Sequence, residues 1–566
     1  MSLYIASSPF IVTLPTTSYI LHPKSLHKKW TYGHGSPTSQ PPTNGHPHDP
    51  TSELTFPLTT PTPKNDHSLE FKARRKFSNS DLLAITFYVS YQEKPLWVSD
   101  TCQLHTHNTT NTFLPLVLQL LQETISRSPT AHDSIATATC PRSNLQKLKP
   151  DPVSWILDTH SPESFSTFFN LVFLARLFWL CACDAPSDVG ALYFKSILAP
   201  NLGGFSGDHS PVLRAFFVSA GVDVELAIMR TFGYMLTKWL MLREVGVGLQ
   251  MLTPSCNLGR WFSYAAETHG LWVLKGYAPV MATTRCHAHT VVGGNGSPVF
   301  EAKESVLKYA LAHQQVEAVI QLEYSVEVKE GFILVNARVD NIRIHVAKLG
   351  FGKGNEGNGY MHERHFPSRV RVWVGPEVGA SYVTGLTLGR STDNVEKETE
   401  TQKTLKGSFG NTKVPKMKTM TRTTTRTKAR AWRWDQDSEG NMAIFDSTLC
   451  DNTTGVEIAT WQPSCGDDVV GGVGRGNRDE VAQGFQKRYT GANRSFTKSG
   501  NWVLGEGLEG VKWRLNKEME GSVLKWRIGG QIWLSYFPNE VKSSYFETRC
   551  VEWCDEVDLP LILGAY

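Results

Sequence analysis

The chain has 566 residues, of which 40% are apolar, 11% aromatic and 19% charged, and its 57 basic and 53 acidic side chains leave a formal charge of +4. This composition excludes an intrinsically disordered chain, and so small a charge excludes a polyanion partner spread over the whole surface. Ten cysteines scattered without regular spacing exclude the disulfide framework of a small secreted domain and suit a reducing, intracellular setting.

The length suits about two to four domains. Residues 1–68 read as a disordered leader. Its first 48 residues carry no Asp or Glu and many Ser and Thr, a balance compatible with an organelle transit peptide, although arginine is absent. One short strand is expected at Phe10–Leu14. Ser36–Lys64, crowded with Pro, Ser, Thr, Gly and His, reads as a linker. A small α/β module follows over 69–160, with a strand at Leu82–Tyr91 and an amphipathic helix at Phe113–Arg127.

Residues 161–260 form a helical block. Phe165–Cys183 is its most apolar part, but Asn170 and Arg176 interrupt it. An Arg at mid-membrane depth costs about 2.5–3.5 kcal/mol on insertion scales, so a buried helix is expected and no membrane span. Ser210-Pro211 provides an N-cap and first turn, and Gly221 a stop. A second helix over Asp223–Val245 is apolar on nearly all sides and should pack against the sheet.

Strands dominate 261–400. From Val316 to Val328 apolar residues alternate with Glu317, Gln321, Glu323, Ser325 and Glu327, then the chain turns at Lys329-Glu330-Gly331. Ile333, Val335, Ala337 and Val339 resume the alternation, and its parity slips to Ile342, Ile344 and Val346, as a bulge requires. This is an antiparallel hairpin with one dry face. Val370, Val372 and Val374 alternate with Arg369, Arg371 and Trp373, and Tyr382 to Leu388 repeats the period; one sheet is expected to hold them all.

Residues 401–428 read as a basic disordered loop, because Lys and Arg recur among threonines with no apolar period. A Trp-rich continuation of the sheet occupies 429–566. Strands are expected at Trp502–Leu504, Val511–Leu515, Val523–Ile528 and Ile532–Tyr536, separated by Gly-containing turns. Eight of the 16 tryptophans lie beyond residue 430. Trp432, Trp434, Trp513, Trp526 and Trp533 are therefore candidates for an apolar ligand pocket.

Cys286, His287 and His289 are close in sequence, and with His362 and His365 they supply ligand types that Zn²⁺ accepts. Their spacing matches no established zinc motif, and histidines satisfied by neighbours in the core are the plainer reading. Gly352, Gly354 and Gly357 match GxGxxG without the helix a dinucleotide site needs, so no cofactor is implied. Basic and aromatic residues over 403–433 could give a weak polyanion contact. The plainer account of Arg430 to Trp434 is an edge strand with Trp inward and Arg in water.

The stretch from Tyr545 to Pro560, with Glu547, Arg549, Cys550, Trp553, Cys554 and Asp555, resembles an uncharacterised plant protein family without a named activity. The resemblance covers most of the chain beyond residue 70. It implies a plant source and a plastid address, and no catalytic residue. The sequence thus leads to an α+β fold, a large antiparallel meander packed by an apolar helical block. Without a catalytic grouping, it favours a non-enzymatic binding or scaffold protein, cytoplasmic or in the chloroplast, with a protein or small hydrophobic molecule as partner. The alternatives are a hydrophobic-ligand or lipid carrier and a metal-dependent enzyme.

Overall fold

The computed structural model describes residues 10–14, 17–21, 52–59, 68–79, 82–105, 114–129, 148–159, 162–202, 210–245, 262–288, 302–349, 363–377, 379–389, 397–409, 417–429, 432–450, 457–460, 501–504, 510–537 and 545–562. The architecture is α+β, with seven helices and three large antiparallel sheets among these residues.

The expected strand β1 (Phe10–Leu14) is present and pairs with β2 (Thr17–Leu21). The first large sheet holds β3 (Ser52–Pro57), β4 (Leu69–Asn79), β5 (Leu82–Tyr91), β6 (Lys94–Val98) and β7 (Cys102–His105). Strand β3 falls in the stretch expected to be a linker. A short Leu-Thr-Phe alternation is enough here, because Phe56 and Leu58 find a ready-made apolar face on β4. That face alternates as strand geometry demands, with Leu69, Phe71 and Ala73 buried between Glu70, Lys72 and Arg74.

Of helices α1 (Leu114–Arg127), α2 (Pro150–Thr159), α3 (Pro162–Phe178), α4 (Ser187 to Asn201, through the π-helical turns Tyr193–Leu198), α5 (Ser210–Ala220) and α6 (Val222–Val245), α1, α3 and α4 contact this sheet. Phe71 meets Phe173 of α3 edge-on, and Tyr91 donates to Asp188 of α4 at 2.5 Å. No helix among the described residues is long and apolar enough to cross a membrane. Gly221 turns the chain between α5 and α6 at φ +92°, a conformation an L side chain rarely adopts.

Helix α6 lies on the second sheet, of strands β8 (Phe262–Thr268), β9 (Leu271–Pro279), β11 (Gln314–Val328), β12 (Phe332–Lys348), β14 (Val383–Thr387), β19 (Asn501–Leu504) and β20 (Val511–Asn516). The third sheet runs in the order β10 (Thr284–Ala288), β22 (Glu547–Pro560), β21 (Val523–Tyr536), β13 (Phe366–Pro376), β18 (Met442–Leu449), β17 (Trp432–Glu439). Helix α7 (Ala302–Ala312) follows β10 and packs Leu307 and Leu311 on Tyr536 and Tyr545.

The β11–β12 hairpin turns between Val328 and Ile333, and its register shifts between Gln321 and Leu322 so that Asp340 is the extra residue. The parity slip in the sequence is this bulge. The dry face, however, is covered by the third sheet rather than by helices. Gly276 of β9 lies so close to Trp553 of β22 that a Cβ would stand 2.4 Å from the indole, and Trp272 meets Trp526 at 5.5 Å between ring centroids. The single sheet expected for Val370 and Tyr382 is accordingly two, since β13 belongs to the third sheet and β14 to the second.

Val523–Ile528 and Ile532–Tyr536 are one strand, not two. Gly529 and Gly530 make no turn: Gly529 lets Trp373 lie across β21, and Gly530 admits Ile320 from the facing sheet. Glycine was serving close approach there. The basic loop expected over 401–428 is corrected as well, because Lys397–Phe409 and Met417–Ala429 pair as strands β15 and β16. Threonine supplies the reason, since its β-branched side chain favours extended backbone even without an apolar face.

Candidate functional site

The outer face of the third sheet is built by alternation. On β13, Val370, Val372 and Val374 enter the core, so Arg369, Arg371 and Trp373 must point outward. On β18, Ala443 and Phe445 enter and Asp446 and Thr448 point outward; on the edge strand β17, Trp434 enters and Arg433, Asp435 and Asp437 point outward. Register then decides who meets whom. Asp446 stands between Arg371 on one side and Asp435 on the other, while Thr448 stands between Arg369 and Arg433.

Asp446 faces a like charge on one side and resolves it by binding arginines on the other. Arg369 grips it with a fork, Nε to Oδ1 at 3.0 Å and a terminal nitrogen to Oδ2 at 2.6 Å, and Arg371 adds bonds of 3.0 and 2.8 Å. Burial raises the Asp446 pKa, but these two guanidiniums outweigh it and hold the carboxyl below its ordinary value. Arg369 also donates to Glu457 at 3.0 Å and lies over Trp533, 4.9 Å from the ring centroid.

Around this clamp is a groove of about 570 Å³ lined by Arg369, Arg371 and Arg433 and by five carboxylates, Asp435, Asp437, Glu439, Asp446 and Glu457. Among the described residues, Asp435, Asp437 and Glu439 have no cation within ion-pair distance.

The inner face of the same sheet holds a buried ionic cluster. Glu547 of β22 is 3% exposed and accepts from His365 Nε2 at 2.9 Å, with Arg549 Nε at 3.0 Å and Arg285 Nε at 3.4 Å. Burial raises the Glu547 pKa, yet Arg549 and His365 more than reverse this and keep the carboxyl far below the usual carboxylate range. His365 Nδ1 is 3.1 Å from Gln314 Oε1. Two facing acceptors favour the imidazolium, but complete burial prevails and lowers the His365 pKa. Glu363 is also buried, accepting from Tyr536 at 2.8 Å.

Of the sequence-predicted metal ligands, His365 is thus a core histidine engaged at both ring nitrogens. Cys286 lies on β10, on the opposite face of the sheet. The His287 side chain, His289 and His362 lie outside the described residues, as do Gly352, Gly354 and Gly357. No group of three or more metal-ligating side chains occurs among the described residues.

The predicted tryptophan site is dispersed. Trp513 and Trp526 are fully buried in edge contact at 4.9 Å, filling the space between the second and third sheets. Trp434 packs near Phe445 at 6.2 Å, Trp432 is half-buried at the edge, and Trp533 faces outward under Arg369. The Arg369-x-Arg371-x-Trp373 and Arg433-x-Asp435-x-Asp437 alternations were signals of a charged outer face. Their pairing through Asp446 could not be read without the register. The side chains of the basic stretch 403–428 lie outside the described residues, whereas Arg433 is exposed on the edge strand as the plainer reading had it.

No known family matches the chain, and no curated protein does. Solved structures similar to parts of it include the membrane-inserted form of the Clostridium perfringens NetB toxin, 10% identical, TM-score 0.18, covering 42% of this chain and 88% of the toxin. The Clostridium perfringens delta-toxin is 8% identical with TM-score 0.20, covering 53% and 96%, and a chain described as a pore forming protein is 9% identical with TM-score 0.19, covering 53% and 100%. Likenesses this low carry neither a fold nor a function to the present chain.

Proposed function

We propose that this protein is a non-enzymatic binding module that recognises a basic polypeptide segment on the outer face of its third sheet. The groove beside the Arg369 clamp carries this reading, because five carboxylates oppose three arginines there. Arg369 and Arg371 satisfy Asp446, and Arg369 also holds Glu457. Among the described residues no cation pairs with Asp435, Asp437 or Glu439, which form a row of negative charge on β17, and a Lys or Arg side chain is its complement. The volume is in the range of ligand sites, and among the described residues β17 is the last strand of its sheet.

The ionisable cluster on the inner face supports a binding role as well, since its groups are committed to one another. A hydrophobic-ligand carrier draws no support from Trp513 and Trp526, which are packed in the core, and a metal-dependent enzyme draws none from His365. The intracellular setting, cytoplasm or chloroplast, belongs to the same proposal and rests on composition.

The test is anisotropy titration of a fluorescent Lys/Arg-rich peptide against the full chain at rising salt. Replacing Asp435→Asn and Asp437→Asn together should weaken binding roughly tenfold, about 1.4 kcal/mol, and flatten its salt dependence. Equal affinity of wild type and double variant, or equal binding of an acidic peptide, would refute the reading.

A further inference from the structure

The outer face of the third sheet carries a second feature, at the edge away from the groove. Strands β10 and β22 pair there, with Thr284 opposite Cys550, Arg285 opposite Arg549 and, after a register shift, His287 opposite Thr548. Cys286 is the extra residue in that shift. In an unbroken ladder it would stand opposite Thr548; as the bulged residue it sits between that rung and the Arg549 rung, nearer to Cys550. The two side chains are cross-strand neighbours at this shift in the ladder. Both are reachable from solvent, Cys286 being exposed and Cys550 half-buried, whereas Cys102 and Cys181 are sealed in the core.

We propose that Cys286 and Cys550 form a redox-active pair that closes to a disulfide and clamps the edge strand β10 onto β22. The oxidant is a low-molecular-weight disulfide. The Cys286 thiolate attacks one sulfur of it, forming a mixed disulfide and expelling one small thiolate. Cys550 then loses its proton and attacks Cys286 Sγ, breaking the mixed bond and expelling the second. The protein gives up two electrons and two protons, and one small disulfide becomes two thiols.

The surroundings divide the labour between the sulfurs. The neighbouring Cys550 thiol lowers the Cys286 pKa to about 7, burial opposing it and Arg549 assisting. A thiol with a pKa near the ambient pH is the best attacker in such exchange. Cys550 is pushed the other way by its Cys286 neighbour and by burial, and keeps its proton until the mixed disulfide forms. On the reverse face Arg285 already ties β10 to Glu547, so closure would hold the strand from both sides.

The experiment treats reduced, full-length protein with oxidised glutathione, quenches by alkylation and maps peptides by mass spectrometry. The expected product joins the Cys286 and Cys550 peptides with loss of two hydrogens, and raises the thermal midpoint by several degrees until dithiothreitol reverses it. Cys550→Ser should stop at a glutathione adduct on Cys286. Wild-type protein in which both thiols stay free, in which the adduct persists on Cys286, or in which the crosslink joins another cysteine, would overturn the proposal without reference to any variant.

Discussion

Glu547→Gln removes one charge and almost no volume from the inner face of the third sheet. Glu547 is 3% exposed and its carboxylate lies 3.0 Å from Arg549 Nε. Unit charges at that distance interact by about 5 kcal/mol at an effective dielectric of about 20, before desolvation is set against them. Desolvation cancels much of the net worth of the pair, but the substitution leaves Arg549 buried without its counter-ion, and buried pairs broken from one side cost about 3–5 kcal/mol. Arg285, at 38% exposure, is screened by water and adds little. Urea unfolding of full-length protein should show this loss for Glu547→Gln. Joined to Arg549→Met it should cost clearly less than the two single changes summed, because neither charge is then stranded.

The same cluster fixes an acid dependence. The folded pKa of Glu547 lies below its ordinary value of 4.5, so the stabilisation is complete above that value and is lost as the pH falls towards the folded pKa. His365 is also lowered from 6.5, so the unfolded chain takes up its proton first and stability starts to decline below about that pH. Glu547→Gln should remove the lower limb of the profile and leave the upper one to His365. A loss below about 1 kcal/mol, or strict additivity with Arg549→Met, would show that the carboxylate is not the counter-ion.

Two further substitutions test the packing of the layers. Gly276→Ala places a methyl 2.4 to 2.6 Å from three indole atoms of the fully buried Trp553, so it should destabilise by about 1–3 kcal/mol, measured as a lowered urea midpoint. Arg230→Lys keeps the charge but loses the fork on Glu317, whose two bonds are 2.7 and 3.0 Å. It should cost about 1.5–3 kcal/mol and speed amide exchange in α6, and an unchanged midpoint would mean that the fork does not anchor the helix to the second sheet.

What the sequence by itself determined is what each residue imposes on its near neighbours. Alternation set which side of β11, β12 and β13 is apolar, and the parity slip after Val339 announced the bulge at Asp340. An apolar run interrupted by Asn170 and Arg176 marked α3 as a buried helix, a nearly all-round apolar surface marked α6, and Gly221 marked the corner between α5 and α6. Of the candidate groove, the outward Arg369, Arg371 and Arg433 could be read in this way.

Tertiary structure decided which strands became neighbours. Glu547 reaches His365 across 182 residues of sequence, and Arg369 reaches Asp446 across 77. Cys286 meets Cys550 only because β10 pairs with β22 in one register, with one extra residue. Gly529 and Gly530 looked like a turn and serve instead as clearance for Trp373 and Ile320, which arrive from elsewhere in the chain. Periodicity is local, because it follows from the geometry of one strand, whereas register follows from how all the buried faces fit together at once.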